Sequence, residues 1–224
     1  MKDIRPGSRP VNLIVHADCL DVMRDMADDS VDLILTDPPY DTPVAGKVYS
    51  WDKGFNPTVC WYEMLRVSKQ GVVCCGDVLL GQWLRLLREG RVFRQILHLE
   101  KTNPVPHSGR LFWRAIQYAV WWAKPDYTFN KDRRRKDVFT YSVGGNRNIK
   151  WHPTPKPLEP MKAIIRVLSN EGDLVFDPFL GSGTTCVAAK ELGRDYVGCD
   201  ITEEYVIKAR KRLAKIDSIQ LSLI

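Results

Sequence analysis

Short apolar runs that stop on an aspartate recur along this chain, and they limit what it can fold into. Asn12–Asp18 (NLIVHAD), Val31–Asp37 (VDLILTD) and Gly71–Asp77 (GVVCCGD) are all built this way. Runs of this length suit strands covered on both faces, as in a parallel sheet. Helical spacing separates them. Asn56–Ser68 aligns Val59, Met64, Leu65 and Val67, and Leu79–Glu89 aligns Leu80, Trp83, Leu84 and Leu87. Asp77 reads as the N-cap of the second helix and Gly90 as its stop. The rhythm then lapses. Arg94–Lys101 and Tyr118–Lys124 read as strands, while Pro125–Pro155 is polar, basic and weakly patterned. It resumes with Pro157–Ser169 as helix, Leu174–Phe179 as strand, Gly183–Leu192 as helix, Asp195–Ile201 as strand and Thr202–Ile216 as helix. Such alternation predicts an α/β fold with an open, doubly wound, mostly parallel sheet and helices on both faces. Ligands of such folds sit outside the carboxyl ends of the strands.

One of those ends is unusual. In LILTDPPYDT, Leu33–Thr42, the apolar run meets an acid, two prolines and a ring. Prolines lack an N–H and have fixed φ, so neither helix nor central strand continues through them. The chain therefore halts with Asp37 and Tyr40 held at a strand edge. A second end, VFDPFLGSGTTC at Val175–Cys186, passes from strand through an acid and a glycine-rich turn into a helix. Glycines allow a tight turn and close approach to a ligand, and helix N–H groups offer donors. No G-K-[ST] follows, so this is not a Walker loop. Cys186 takes the third small position after Gly181-Ser182-Gly183, which weakens a dinucleotide reading. Asp200 in VGCDI ends the next strand, where an acid is suited to bond the hydroxyls of a ribose.

Together, DPPY at Asp37–Tyr40 and F-x-G-x-G at Phe179–Gly183 carry a resemblance. The chain resembles S-adenosylmethionine-dependent DNA amino-methyltransferases of the beta class, in which the first motif precedes the second. ADCLDVM at Ala17–Met23, RAIQYAVWWAK at Arg114–Lys124 and HPTPKP at His152–Pro157 extend the likeness over nearly the whole sequence. The resemblance implies a seven-stranded, Rossmann-like methyltransferase sheet and a single domain over residues 1–224. It also implies a short basic target-recognition insert around 125–155. It assigns catalysis to Asp37, Pro38, Pro39 and Tyr40. Cofactor contacts fall to Asp18 and Cys19 at the adenine and to Asp177, Phe179, Gly181, Gly183, Thr184 and Asp200. Lys156 is expected near the methionine carboxylate. The bland alternatives are caps for Asp18 and Asp177 and a solvated charge for Lys156.

The chemistry fits the motif. An exocyclic base amine is a poor nucleophile because its lone pair is delocalised into the ring. Asp37 and the Pro38 carbonyl supply acceptors for its protons, and this help grows as the nitrogen becomes pyramidal. Tyr40 offers a face for a base swung out of the duplex. Adenine N6 is the expected target, because DPPY is the commoner form for it. Cytosine N4 is the alternative, and a catalytically inactive DNA-binding member of the fold is a further one. RNA or protein-glutamine methylation would call for N-P-P-Y with the glycine motif ahead of it.

Charge agrees with a DNA partner. Lys plus Arg number 33 against 27 Asp plus Glu, a net +6. Lys131, Arg133, Arg134, Arg135, Lys136, Arg147 and Lys150 concentrate in the insert, interleaved with Tyr127, Phe129, Phe139, Tyr141 and Trp151. Cations and rings together suit phosphate and groove contact with double-stranded DNA. So short an insert also leaves room for a homodimer that completes recognition. The six cysteines form no C-x-x-C pair and the four histidines lack zinc-finger spacing. Reduced thiols and no metal are expected. No apolar run nears the ~20 residues of a membrane span, and Met1-Lys2-Asp3 does not open a signal peptide, so a cytoplasmic protein is expected.

Overall fold

The strands form where the Asp-ended runs predict them. The computed structural model describes residues 10–40, 55–104, 112–131, 136–143, 149 and 151–221. Chain order is β1 (Leu13–His16), α1 (Cys19–Asp25), β2 (Leu33–Thr36), α2 (Pro57–Val67), β3 (Gln70–Cys75), α3 (Asp77–Glu89), β4 (Phe93–Lys101) and β5 (Ile116–Ala123). There follow β6 (Val138–Tyr141), α4 (Leu158–Leu168), β7 (Leu174–Asp177), α5 (Thr184–Glu191), β8 (Asp195–Asp200) and α6 (Glu203–Leu221). The strands lie in the order β1-β8-β7-β2-β3-β5-β4-β6. β1, β8, β7, β2 and β3 pair in parallel, whereas β5 runs antiparallel to both β3 and β4.

The helices cover both faces, as doubly wound packing requires. Val22 and Met23 of α1, Trp61 and Met64 of α2 and Trp83 and Leu87 of α3 bury one face with Ile34, Val73 and Phe176. Met161 and Ile165 of α4, Ala188 of α5 and Ala209 and Leu213 of α6 bury the other with Leu35, Val72 and Val175. β2, β3 and β7 are buried along their whole length, which explains their unbroken apolar runs. Shortening Ile34, wholly buried, to Ala removes about 2–5 kcal/mol of stability.

Among the described residues the sheet has eight strands rather than the expected seven. The addition is β6, which pairs in parallel with β4 from His98↔Val138 to Lys101↔Tyr141. It falls within Pro125–Pro155, expected to be weakly patterned. Only four residues long, with an exposed and half-buried alternation, it carries no apolar run to signal it. Asp77 is the first residue of α3 rather than its cap, and Gly76 takes the cap position. Elsewhere the boundaries match within a few residues, the usual play at element ends.

Candidate active site

Parallel pairing brings the carboxyl ends of β1, β8, β7, β2 and β3 to one edge. Asp200 and Asp177 are the last residues of β8 and β7, and Asp18, Asp37 and Asp77 follow β1, β2 and β3 within two residues, so remote parts of the sequence meet there. Two corners occupy this edge. At the first, Asp37 follows β2. The Tyr40 hydroxyl donates to Asp37 Oδ1, and Gln117 Nε2 donates to the Tyr40 hydroxyl. Lys156 Nζ pairs with Asp37 Oδ2 and lies 5.3 Å from the centre of the Tyr40 ring. The side chains of Lys156 and Asp37 are 13% and 24% exposed. Partial exclusion of water makes such a charge contact stronger than one at the surface. Burial, and then the Asp37 charge, push the Tyr40 hydroxyl well above the usual tyrosine range, so the ring stays a neutral donor.

The second corner is the glycine turn. Gly181 and Gly183 have φ of +46° and +74°, the left-handed region where side chains are strained. A Cβ on Gly181 would lie 2.9 Å from His152 Nε2, and one on Gly183 3.0 Å from the Ala209 Cβ. Asp200 at the end of β8 grips this turn, its Oδ2 accepting from the Gly181 N–H at 2.8 Å. Its Oδ1 accepts from the Thr202 N–H at 2.8 Å. Burial raises the Asp200 carboxyl while those N–H bonds oppose the rise. The Thr184 hydroxyl donates to the Lys156 carbonyl at 3.3 Å and accepts from Arg212 Nη1 at 3.0 Å.

Asp177 joins the corners. Its Oδ1 accepts from Thr36 Oγ1 at 2.7 Å and from the Phe179 N–H at 3.2 Å. Burial pushes this carboxyl up to about 6, against the pull of those bonds. With 3% of its surface exposed, Asp177 reaches a ligand only through the elements it ties together. His152 backs the second corner. Its ring backs Gly181 and lies 4.8 Å from the Tyr205 ring. Burial, then Lys156, push it down to about 4, so it is neutral at physiological pH.

The remaining predicted residues divide. Asp18 caps α1, its exposed carboxylate accepting from the Leu20 N–H at 2.8 Å. Burial pushes the neighbouring Cys19 thiol up to about 12. Pro38 is buried, Pro39 half-buried, and Phe179 meets Phe55 edge-on at 5.5 Å. Lys156, expected near a methionine carboxylate, pairs with Asp37. Lys131 and Lys136 are exposed, whereas Arg133, Arg134, Arg135, Arg147 and Lys150 lie outside the described residues. Several rings of the basic segment differ from expectation. Phe129 stacks on Trp121 at 5.6 Å, Tyr127 meets Trp121 at 5.8 Å, and Phe139 and Tyr141 pack on the core. They anchor the segment to the sheet, because apolar area gains more from burial there than from waiting in water. Sequence reasoning missed Gln117 and Phe55. The one available signal for Gln117 was an amide amid the apolar YAVWWAK region.

Comparisons with known proteins bear on family and fold. The sequence pattern of the DNA methylase family matches residues 31–211. The type II methyltransferase M2.DpnII of Streptococcus pneumoniae is 33% identical, over 90% of this chain and 89% of that protein. The type II methyltransferase M.HinfI of Haemophilus influenzae is 29% identical, over 92% of this chain and 69% of that protein. Among solved structures, M1.HpyAVI in complex with SAM has a TM-score of 0.71 and 30% identity, over 90% of this chain and 99% of that one. The cytosine-N4-specific PvuII DNA methyltransferase has a TM-score of 0.73 at 18% identity, over 92% of this chain and 88% of that one, a likeness of fold.

Proposed function

The chain belongs to the DNA methylase family, and from that footing we propose that it methylates the N6 amine of adenine, swung out of duplex DNA. It is a DNA methyltransferase with S-adenosylmethionine as methyl donor. The observation that carries our reading is the pair of corners just described. Asp37, with Tyr40 and Lys156 on its two oxygens, lies one strand away from a glycine turn, and the Thr36–Asp177 bond couples them.

The residues fit the donor. Gly181 and Gly183 leave the lip of the turn bare of side chains, and Asp200 keeps lone pairs for ribose hydroxyls beside its two backbone bonds. Asp18, Cys19, Phe179 and Thr184 complete the cofactor set in this reading. The sulfonium of the bound donor supplies an electrophilic methyl and a neutral sulfide as leaving group. Everything else falls to the protein. Asp37 and the Pro38 carbonyl accept the amine protons and hold the lone pair towards the methyl. An amine nitrogen that gains the methyl would become positive, and Asp37 would accept the proton it sheds and pass it to water. Tyr40 stacks on the base, and Lys156 keeps the carboxylate oriented until the amine takes its place. Tyr40 and Pro39 give the base its wall.

Lys131, Arg133, Arg134, Arg135, Lys136, Arg147 and Lys150 bind phosphate in this reading. The shortness of segment 125–155 favours a second copy that completes recognition, so a homodimer belongs to the proposal. Neither the electrophile nor the nucleophile calls for a metal. No helix among the described residues is long and apolar enough to cross a membrane, and a cytoplasmic setting completes the reading.

The test uses purified protein, S-adenosylmethionine and unmethylated genomic DNA, digested to nucleosides and weighed by mass spectrometry. N6-methyladenine is the expected product. N4-methylcytosine alone would overturn the adenine assignment. Cofactor binding with no methylated nucleoside would mark an inactive DNA-binding member.

A further inference from the structure

Two neighbouring aromatic rings stand in water. Phe112 is 98% exposed and Trp113 57%. Tyr62 and Tyr127 are exposed singly, but Phe112 and Trp113 are neighbours in the chain, and such a pair asks for a partner. They belong to the segment that leads into β5. Three contacts fix that segment beside the site. The Arg114 guanidinium reaches Asp77 Oδ2 at 3.4 Å, and Asp77 follows Gly76, which underlies the Tyr40 ring. Lys101 Nζ donates to the Arg114 carbonyl at 3.3 Å. Gln117, further along the same stretch, donates to the Tyr40 hydroxyl. Phe112 thus lies within about 17 Å of Gln117 even on a fully extended chain.

From this placement we propose that Phe112 and Trp113 form a wedge that enters the duplex beside the target and fills the space the swung-out base leaves. The inference rests on the methyltransferase reading and adds to it the residues that hold the duplex open. A duplex that gives up one base exposes the two flanking bases to water, and an inserted apolar ring covers them. The cations beside the rings, Arg114 and Lys101, match a polyanion rather than an apolar protein face. Tyr40 receives the base that leaves, and Phe112 with Trp113 takes the vacancy.

The experiment compares wild type with a Phe112→Ala/Trp113→Ala double variant on two duplexes carrying the methylated sequence. One is fully paired, and in the other the target faces a mismatched base. On the paired duplex the variant should lose about ten- to hundredfold in kcat/KM, the scale of one lost base–ring stack. On the mismatched duplex, where opening is already easy, it should come within about threefold of wild type. A 2-aminopurine at the target should brighten when wild type binds the paired duplex and stay dim with the variant, while cofactor affinity is unchanged. Equal loss on both duplexes would overturn the wedge, as would undiminished activity on the paired one. Dissociation of a dimer in the variant, without rescue by the mismatch, would assign the rings to a second copy instead and also overturn it. If wild type itself transfers no methyl group, the methyltransferase reading fails and the wedge falls with it.

Discussion

The two corners of the site are held by different means. At the glycine corner the contacts are made by backbone: positive φ at Gly181 and Gly183, and N–H groups of Gly181 and Thr202 clasped by Asp200. At the catalytic corner they are made by side chains: Tyr40 and Lys156 on Asp37, and Gln117 on Tyr40. Backbone contacts have no other conformer to adopt, whereas side-chain contacts exchange partners by rotating. The first corner is suited to a ligand that always binds in one way. The second is suited to a substrate amine that must replace what is already there.

Asp37→Ala breaks the comparison most severely. It should reduce turnover by about a hundred- to thousandfold or more, the scale of losing a group that stabilises developing charge. Cofactor affinity, measured by calorimetry, should stay within about twofold. Parallel loss of affinity would mean that the corners are one unit and the contrast is false.

Gly183→Ala probes the other corner. Holding Ala at a φ of +74° costs about 1–3 kcal/mol, and its Cβ would press on Ala209 at 3.0 Å. Cofactor affinity should fall about tenfold, while kcat at saturating cofactor stays close to wild type. A fall in kcat at unchanged affinity would show that the turn takes part in the transfer rather than in binding.

The smallest effect concerns His152, which backs the glycine turn and feels the Lys156 charge. Its folded-state value of about 4 lies below the ordinary 6.5, so the unfolded chain takes up the proton first. Its contribution to stability is therefore complete above about pH 6.5 and is lost as pH falls towards 4. His152→Gln should lessen the drop in Tm between pH 7 and 5 by about 2–4 °C. Asp177 acts in the opposite sense between 3.8 and about 6, so the variant is compared with wild type at each pH. An unchanged slope would remove His152 from the acid response.

Much of this was legible in the sequence because the same physics wrote both. β2, β3 and β7 are buried throughout, so they are apolar except at their ends, where Thr36, Gln70 and Asp177 are buried with hydrogen-bond partners. DPPY and the glycine turn announce themselves through residues with fixed or permissive backbone. What stayed hidden depends on direction. Nothing in HPTPKP says that Lys156 points at Asp37 rather than away, and nothing in VFDPFLGSGTTC says that Asp177 turns inward to Thr36. β6 escaped because an edge strand of four residues owes its existence to β4, not to its own pattern. The rings of the basic segment misled for a related reason, since composition records how many there are and not which face they choose.

The hydrogen bond between Thr36 and Asp177 has a consequence for ancestry. Its partners lie 141 positions apart in the chain yet on neighbouring parallel strands, so the corner they weld depends on adjacency alone. A polypeptide that visited β7 first and β2 later would lay down the same weld. Shuffling of the gene that reverses the order of the two halves thus leaves the chemistry intact, and selection can keep one reaction alive across rearranged genes.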